Sequence, residues 1–176
     1  RLEGGRILKA WNLPPAKEQI TILGAEIAAT MLCEGKSSLM VKKLREEKRI
    51  IESIDLDLQI LEEGGLILLD VSCPLKNLQI ADSEINKLLK ELSKNKFTDK
   101  ELNRAKKLVK NNIYFSLELS TQIASTLGNQ ALWGRHQSIL QSINDLPYWT
   151  TKRLNEQIFP IFNPENSYTL IAEPKK

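Results

Sequence analysis

Ser53-Ile54-Asp55-Leu56-Asp57-Leu58-Gln59-Ile60 alternates polar and apolar residues without a fault. Because successive side chains of a strand point to opposite faces, this stretch predicts a strand with one buried and one solvated face. The turn residues Glu62-Glu63-Gly64-Gly65 follow, and Leu66 to Cys73 returns as a second strand. The two predict an antiparallel hairpin whose first strand turns its four apolar residues toward helices and leaves Asp55 and Asp57 in water.

The segment before the hairpin predicts one strand and two helices. Residues 6–13 predict a strand that ends at the two prolines that follow. A helical period then runs from Ala16, with small residues beside Gly24 that allow close packing, and Gly35 is a candidate for the residue that ends this helix in a left-handed conformation. A second, charged helix is predicted from Leu39 to about Lys48, capped by the serines before it.

The segment after the hairpin predicts helices and a final strand. One helix is marked by apolar residues at helical spacing, namely Ile80, Ile85, Leu88, Leu89 and Leu92. Thr98-Asp99-Lys100-Glu101 forms a capping box for the next. A third begins near Ser120 and is predicted to turn inward the residues Ile123, Leu127 and Ala131. Short helices at 139–146 and 151–159, the second capped by Thr150, precede a strand at 167–172.

The order of these elements is β-α-α-β-β-α-α-α-α-α-β, in which hairpins or long helical stretches separate the strands. This order predicts an α+β fold, an α/β sandwich with a mostly antiparallel sheet and helices packed on one face. With 176 residues, no internal repeat and no long linker, residues 1–176 are expected to form a single domain. Since the chain begins at Arg1, we expect it to be a fragment of a longer protein.

Composition excludes several classes of protein. A net charge of +3 is weak, and no aromatic residue lies among the basic clusters 42–49 and 104–110, so these clusters predict solvated helix faces and no nucleic-acid partner. Apolar runs are only a few residues long, so we expect a soluble protein with no membrane partner, in a compartment that the sequence does not name.

No constellation of residues predicts an active site within the chain. One histidine, His136, and two distant cysteines, Cys33 and Cys73, cannot supply the ligands of a zinc site, so no metal is expected. His136 follows a helix–loop junction and is interpreted as a surface or capping residue, and both cysteines as small core residues. Asp55 and Asp57 share one strand face, which the alternation assigns to solvent. No catalytic residue is therefore predicted.

The order of motifs resembles the non-zinc-binding, C-terminal "inactive" domain of the insulinase/pitrilysin family of zinc peptidases, which includes the mitochondrial processing peptidase. Three blocks carry the resemblance: Gly35-Lys36-Ser37-Ser38-Leu39, then Leu44 to Arg49, then Thr98 to Lys106. The resemblance covers nearly the whole chain and implies a clam-shell of paired, similarly folded domains. Zinc is expected in the partner domain, held by an H-x-x-E-H motif that this sequence lacks.

The resemblance also implies candidate substrate-binding residues. In the family, an arginine and, seven residues later, a tyrosine face the cleft and help bind the substrate backbone. Arg45 matches the arginine, whereas Glu52 stands at the position where the family has tyrosine. The chain is accordingly expected to be a substrate-enclosing, non-catalytic domain that works only with a zinc-bearing homologous domain or subunit and a peptide substrate. The alternatives are a purely structural assembly subunit of such a complex and an unrelated helical interaction module.

Overall fold

The structure is a computed structural model that describes residues 4–94, 97–134 and 138–174. Four strands form one antiparallel sheet in the order β2-β3-β1-β4, with β1 Gly5–Leu13, β2 Ser53–Ile60, β3 Gly65–Cys73 and β4 Tyr168–Ala172. The predicted hairpin is β2 and β3, which pair from Ser53 opposite Ser72 to Ile60 opposite Gly65. Strand β1 lies between β3 and β4 and pairs with both.

The described residues also form six α-helices. They are α1 Gln19–Cys33, α2 Leu78–Lys90, α3 Asp99–Ser116, α4 Ser120–Leu132, α5 Gln141–Asp145 and α6 Thr151–Arg153. A π-helix, Val41–Glu47, occupies most of the predicted second helix, and another, Leu154–Ile158, continues α6. None of the helices in the described part of the chain is both long enough and apolar enough to span a bilayer.

The helices pack on one face of the sheet, as predicted. Along β1 the odd-numbered residues are buried, with Ile7 and Trp11 in the core, while the even-numbered ones are half-buried or exposed. Strand β2 follows the predicted alternation, because Ile54 and Leu56 are buried and Asp55 and Asp57 are exposed. The sheet and helices share one apolar core, and the fold class predicted from the sequence is confirmed.

Several local signals are also confirmed. Gly35 follows α1 with φ +79°, a left-handed conformation that glycine adopts at little cost. The capping box at α3 is complete, since the Thr98 side chain accepts from the Glu101 N–H and the Glu101 carboxylate accepts from the Thr98 N–H. Thr150 caps α6 by accepting from the Arg153 N–H. Ser38 departs from prediction, because its hydroxyl donates to the Gly35 carbonyl at 2.7 Å.

The contact with Trp149 explains why α1 has a glycine at position 24. The indole of Trp149, which is 1% exposed, lies against α1 and donates its N–H to the Ile20 carbonyl at 3.1 Å. A Cβ atom at Gly24 would lie 2.4 Å from Cζ2 of that ring and 2.8 Å from Cδ1 of Ile158. The absence of a side chain at this position therefore lets the tryptophan ring reach the backbone of α1.

Four residues that the sequence pattern assigns to apolar helix faces are not buried in the core. Ile80 is 55% exposed, because α2 buries a neighbouring stripe consisting of Leu78, Ala81, Ile85 and Leu89. On α4, Ile123 is only half-buried, Leu127 is 48% exposed and Ala131 is exposed. The apolar spacing on α4 is that of a helix with one apolar face, but no residue of α4 is buried, so this face is not covered within the described chain. His136 lies outside the described residues.

A buried cation sits at the centre of the sheet. Lys9 is 2% exposed on the helix-facing side of β1, where its ammonium forms an ion pair with Asp82 Oδ1 of α2 at 2.8 Å and donates to Thr169 Oγ1 of β4 at 3.0 Å. The second oxygen of Asp82 accepts from the Asn86 amide at 3.1 Å. These side chains connect α2 with two strands through one polar network.

Candidate functional site

A large concavity lies between α1, β2 and α3. Its volume is about 610 Å³. Four carboxylates line it, from Glu26 and Glu34 of α1 and its C-terminal end and from Asp55 and Asp57 of β2. The far wall comes from α3 and includes Val109, Asn112, Ile113 and Ser116. We call this concavity the acidic groove.

The acidic groove runs along the free edge of the sheet. Asp55 and Asp57 point to one face of β2 while Leu56 and Leu58 point to the other, and all four contact the same cavity, so the cavity lies beside the strand edge. Strand β2 is the first in the sheet order and has no neighbour on that side among the described residues. An edge strand next to an open cavity is a surface to which an extended chain can add.

The hydrogen-bond pattern shows which backbone groups face this edge. The Leu61 N–H donates to the Gly64 carbonyl at 3.0 Å, which closes the hairpin. Because antiparallel pairing alternates with a period of two, the odd-numbered residues of β2 bond to β3 and the even-numbered ones present N–H and C=O to the groove. One of these, the Leu56 N–H, donates to the Asp55 carboxylate at 3.0 Å.

Glu26 is the carboxylate of the groove most affected by its surroundings. Burial of its carboxyl raises the pKa of Glu26 to about 7. The carboxylates of Glu34, Asp55 and Asp57 line the same cavity. A cationic group placed in the groove would relieve the cost of ionising Glu26, because an opposite charge favours the charged form of a carboxyl.

Replacing Glu26 with glutamine is expected to stabilise the protein at high pH. A carboxyl whose folded-state pKa is raised keeps its proton when folded but loses it when unfolded, so the free energy of unfolding falls as pH rises from about 4.5 to 7. Glu26→Gln removes this loss, and we expect a gain of about 1–3 kcal/mol at pH 8 and almost none at pH 4. Urea denaturation at the two pH values measures it. An equal effect at both would show that burial of the charge is not the cause.

The structure places the two sequence-derived candidates in different surroundings. Arg45 lies in the π-helix Val41–Glu47, half-exposed, and donates from Nε and Nη2 to the Glu46 carboxylate at 3.1 and 2.9 Å. Glu52 is exposed just before β2, and its N–H donates to the Ser72 carbonyl at 2.8 Å. In the part of the chain that the structure describes, no hydrogen bond or ion pair joins them. Neither residue lines the acidic groove.

The described residues contain no group of three His, Cys, Asp or Glu side chains that could hold a metal ion. Cys33 and Cys73 are both buried and free, as predicted. Burial, with a smaller contribution from Asp55, raises the pKa of the Cys33 thiol, and burial, with a smaller contribution from Glu52, raises that of Cys73. Both thiols are therefore poor nucleophiles and metal ligands at neutral pH.

Sequence reasoning found Asp55 and Asp57 but missed Glu26 and Glu34. The two aspartates were correctly assigned to the solvated face of β2, yet nothing in the local pattern of β2 indicates that α1 brings two glutamates beside them. A signal was present in α1, where Glu26 interrupts a nearly uncharged run from Gln19 to Cys33. An isolated charge inside an apolar helix is a position to inspect for a cavity or a partner.

Comparison with known proteins supplies the family. The model of the peptidase M16 inactive domain matches residues 1–109. YmxG of Bacillus subtilis (strain 168), an uncharacterized zinc protease, is 26% identical over 137 residues, which are 77% of this chain and 34% of YmxG. The chain thus spans about a third of the length of this curated relative.

Solved structures share the fold. The inactive peptidase domain of a Bordetella parapertussis protein superposes with a TM-score of 0.87 at 16% identity, covering 100% of this chain and 94% of that one. A protease from Helicobacter pylori gives 0.85 at 19% identity, covering 98% of this chain and 42% of that one. With the family model matching well over half of its length, the chain belongs to the inactive-domain family of the M16 zinc peptidases.

Proposed function

We propose that this chain is a non-catalytic, substrate-enclosing domain of an M16 zinc endopeptidase, and that its acidic groove binds an extended, basic segment of the peptide substrate. Catalysis then belongs to a zinc-bearing homologous domain or subunit. The observation that carries the proposal is the free edge of β2 beside four carboxylates. Backbone groups of the edge supply hydrogen bonds that any peptide can satisfy, whereas the carboxylates select lysine and arginine side chains.

Arg45 and Glu52 have a second role in this proposal. Arg45 presents a planar fork of donors that suits a peptide carbonyl, since its only described partner is the exposed carboxylate of Glu46. Glu52, at the position where the resemblance implies a tyrosine, provides no phenol and adds a negative charge. The domain therefore contributes to substrate binding more than to stabilisation of the transition state.

The test is a kinetic comparison of groove variants in the intact peptidase together with its zinc-bearing domain. Asp57→Asn combined with Glu34→Gln is expected to raise KM about tenfold for a peptide with basic residues and to leave kcat and the melting temperature unchanged, because binding alone is weakened. A peptide of the same length with glutamine in place of the basic residues should not respond. Arg45→Ala is expected to raise KM about threefold for both peptides, because the proposed partner of Arg45 is a carbonyl of the peptide backbone, which both peptides share.

Glu91→Gln serves as the control, because Glu91 is an exposed carboxylate at the end of α2 that does not line the groove. It should leave KM unchanged for both peptides. If the groove variants and Arg45→Ala are all as silent as this control in an active enzyme, the domain does not contact substrate.

A purely structural role in assembly is the second candidate, and a specific observation favours it. Leu127 and Leu132 on α4 are 48% and 77% exposed, and Tyr168 and Leu170 on β4 are 73% and 60% exposed. Apolar surface of this extent is typical of a contact between proteins or domains. If the role is assembly, Leu127→Ser should weaken the contact with the companion domain, and size-exclusion chromatography should show the two apart. The groove variants should then have no kinetic effect.

A further inference from the structure

A second concavity lies beside the turn that ends α1. Its volume is about 520 Å³, and it is formed by the end of α1, the segment after it and the start of α3. Four cationic side chains line it, from Lys36, Lys42, Lys100 and Arg104, against one carboxylate, Glu101. We call this concavity the basic pocket.

The cations that line the basic pocket outnumber its carboxylates four to one. Among residues 4–94, 97–134 and 138–174, no ion pair engages Lys36, Lys42, Lys100 or Arg104. The single carboxylate, Glu101, is already engaged in the capping box, where it accepts from the N–H and the hydroxyl of Thr98, both at 2.8 Å. Several cations around one cavity produce a positive potential that attracts an anion.

The guanidinium of Arg104 is held in place by a hydrogen bond to the end of α1. Its Nη2 donates to the Glu34 carbonyl at 2.6 Å, which satisfies a free carbonyl at the C-terminal end of α1. The left-handed Gly35 allows this approach, because a Cβ there would lie 2.8 Å from the same Nη2. Among the described residues this is the one hydrogen bond that the guanidinium makes, and a planar fork of donors fits a carboxylate.

The floor of the basic pocket is apolar. Met31 is 4% exposed in the core beneath it, and the half-buried Phe97 forms a wall whose ring packs on Phe159 with centroids 5.0 Å apart. The methylene stems of the lysines add further apolar surface around the rim. A site with an apolar floor and a cationic rim fits a ligand that joins a large apolar group directly to an anion.

We propose that the basic pocket binds the C-terminal end of a peptide, with a large apolar last side chain on Met31 and Phe97 and the free α-carboxylate on Arg104 and the lysines. A chain end of this kind joins one negative charge to an apolar group within a few bonds, which matches the lining. This site goes beyond the substrate groove proposed above, since the two cavities share no lining residue and the basic pocket selects the opposite charge.

The test is calorimetric titration of the intact, zinc-stripped protein with N-acetyl-Leu-Phe as the free acid and as the C-terminal amide. The two probes differ only in the terminal group, a carboxylate against a neutral amide. We therefore expect the acid to bind at least tenfold more tightly and its binding to weaken as salt is raised. Lys36→Gln combined with Lys100→Gln should abolish this difference. Lys107→Gln, an exposed charge on the same helix outside the pocket, should retain it.

Two results would overturn the proposal. Equal affinity for the acid and the amide would show that the cations of the pocket do not bind the carboxylate. Inorganic phosphate binding as tightly as the acid would show a general anion site in which the apolar floor has no role. The titration measures binding without turnover, and its probe has no basic residue. A negative result would therefore leave the kinetic test of the acidic groove unaffected.

Discussion

Replacing Asp82 with leucine is expected to lower the free energy of unfolding by about 3–5 kcal/mol, because it leaves the ammonium of Lys9 buried without its counter-charge. Lys9 is 2% exposed, and its other described partner, the Thr169 hydroxyl, is neutral. Thermal and urea unfolding followed by circular dichroism measure the loss, which corresponds to a fall of about 10 °C in melting temperature for a chain of this size.

A double variant isolates the cause. Lys9→Met combined with Asp82→Leu replaces the ion pair with apolar side chains of similar length, and we expect it to recover most of the stability lost in Asp82→Leu. Glu84→Gln is the matched surface control, since Glu84 pairs with Lys48 on the outer side of α2 and should leave the melting temperature nearly unchanged. If the double variant is as unstable as Asp82→Leu, packing of α2 and not the unpaired charge determines the effect.

Lys9 marks the limit of what local patterns predict. The alternation Ile7-Lys9-Trp11 places this lysine on the buried face of β1, so its burial could be read from the sequence. Its partner could not, because Asp82 lies 73 positions later on a helix that crosses the sheet. The faces of a strand follow from a period of two, whereas a buried ion pair depends on tertiary packing that no single segment encodes.

The acidic groove and α4 show the same division. Asp55 and Asp57 were correctly placed on the solvated face of β2, but the groove exists only because α1 packs beside that strand with Glu26 and Glu34 on its near side. The apolar spacing of α4 predicts its amphipathic character, but it does not state what covers the apolar face. That face is uncovered in the described chain because no other element packs closely against it.

The close packing of Trp149 against α1 leads to the second large effect, at Gly24. Gly24→Val is expected to lower the free energy of unfolding by about 3 kcal/mol, because its Cβ would meet the Trp149 ring at 2.4 Å. The ring cannot withdraw, since it is fully buried and its N–H is fixed to the Ile20 carbonyl. Even Gly24→Ala should destabilise by about 1–3 kcal/mol, although alanine is the better helix former.

Gly128 offers the matched comparison, because it also lies inside a helix but has no atom within 4 Å of an added Cβ. The effect of Gly128→Ala should therefore come from helix propensity alone, and we expect it to stabilise the protein by about 0.5–1 kcal/mol. The two alanine substitutions are expected to have opposite signs in the same urea titration. Trp149→Phe removes the ring atoms that Gly24 approaches, so Gly24→Ala should be harmless or favourable in that background. A loss of similar size with and without the tryptophan would show that backbone conformation, and not the contact with Trp149, selects glycine in α1.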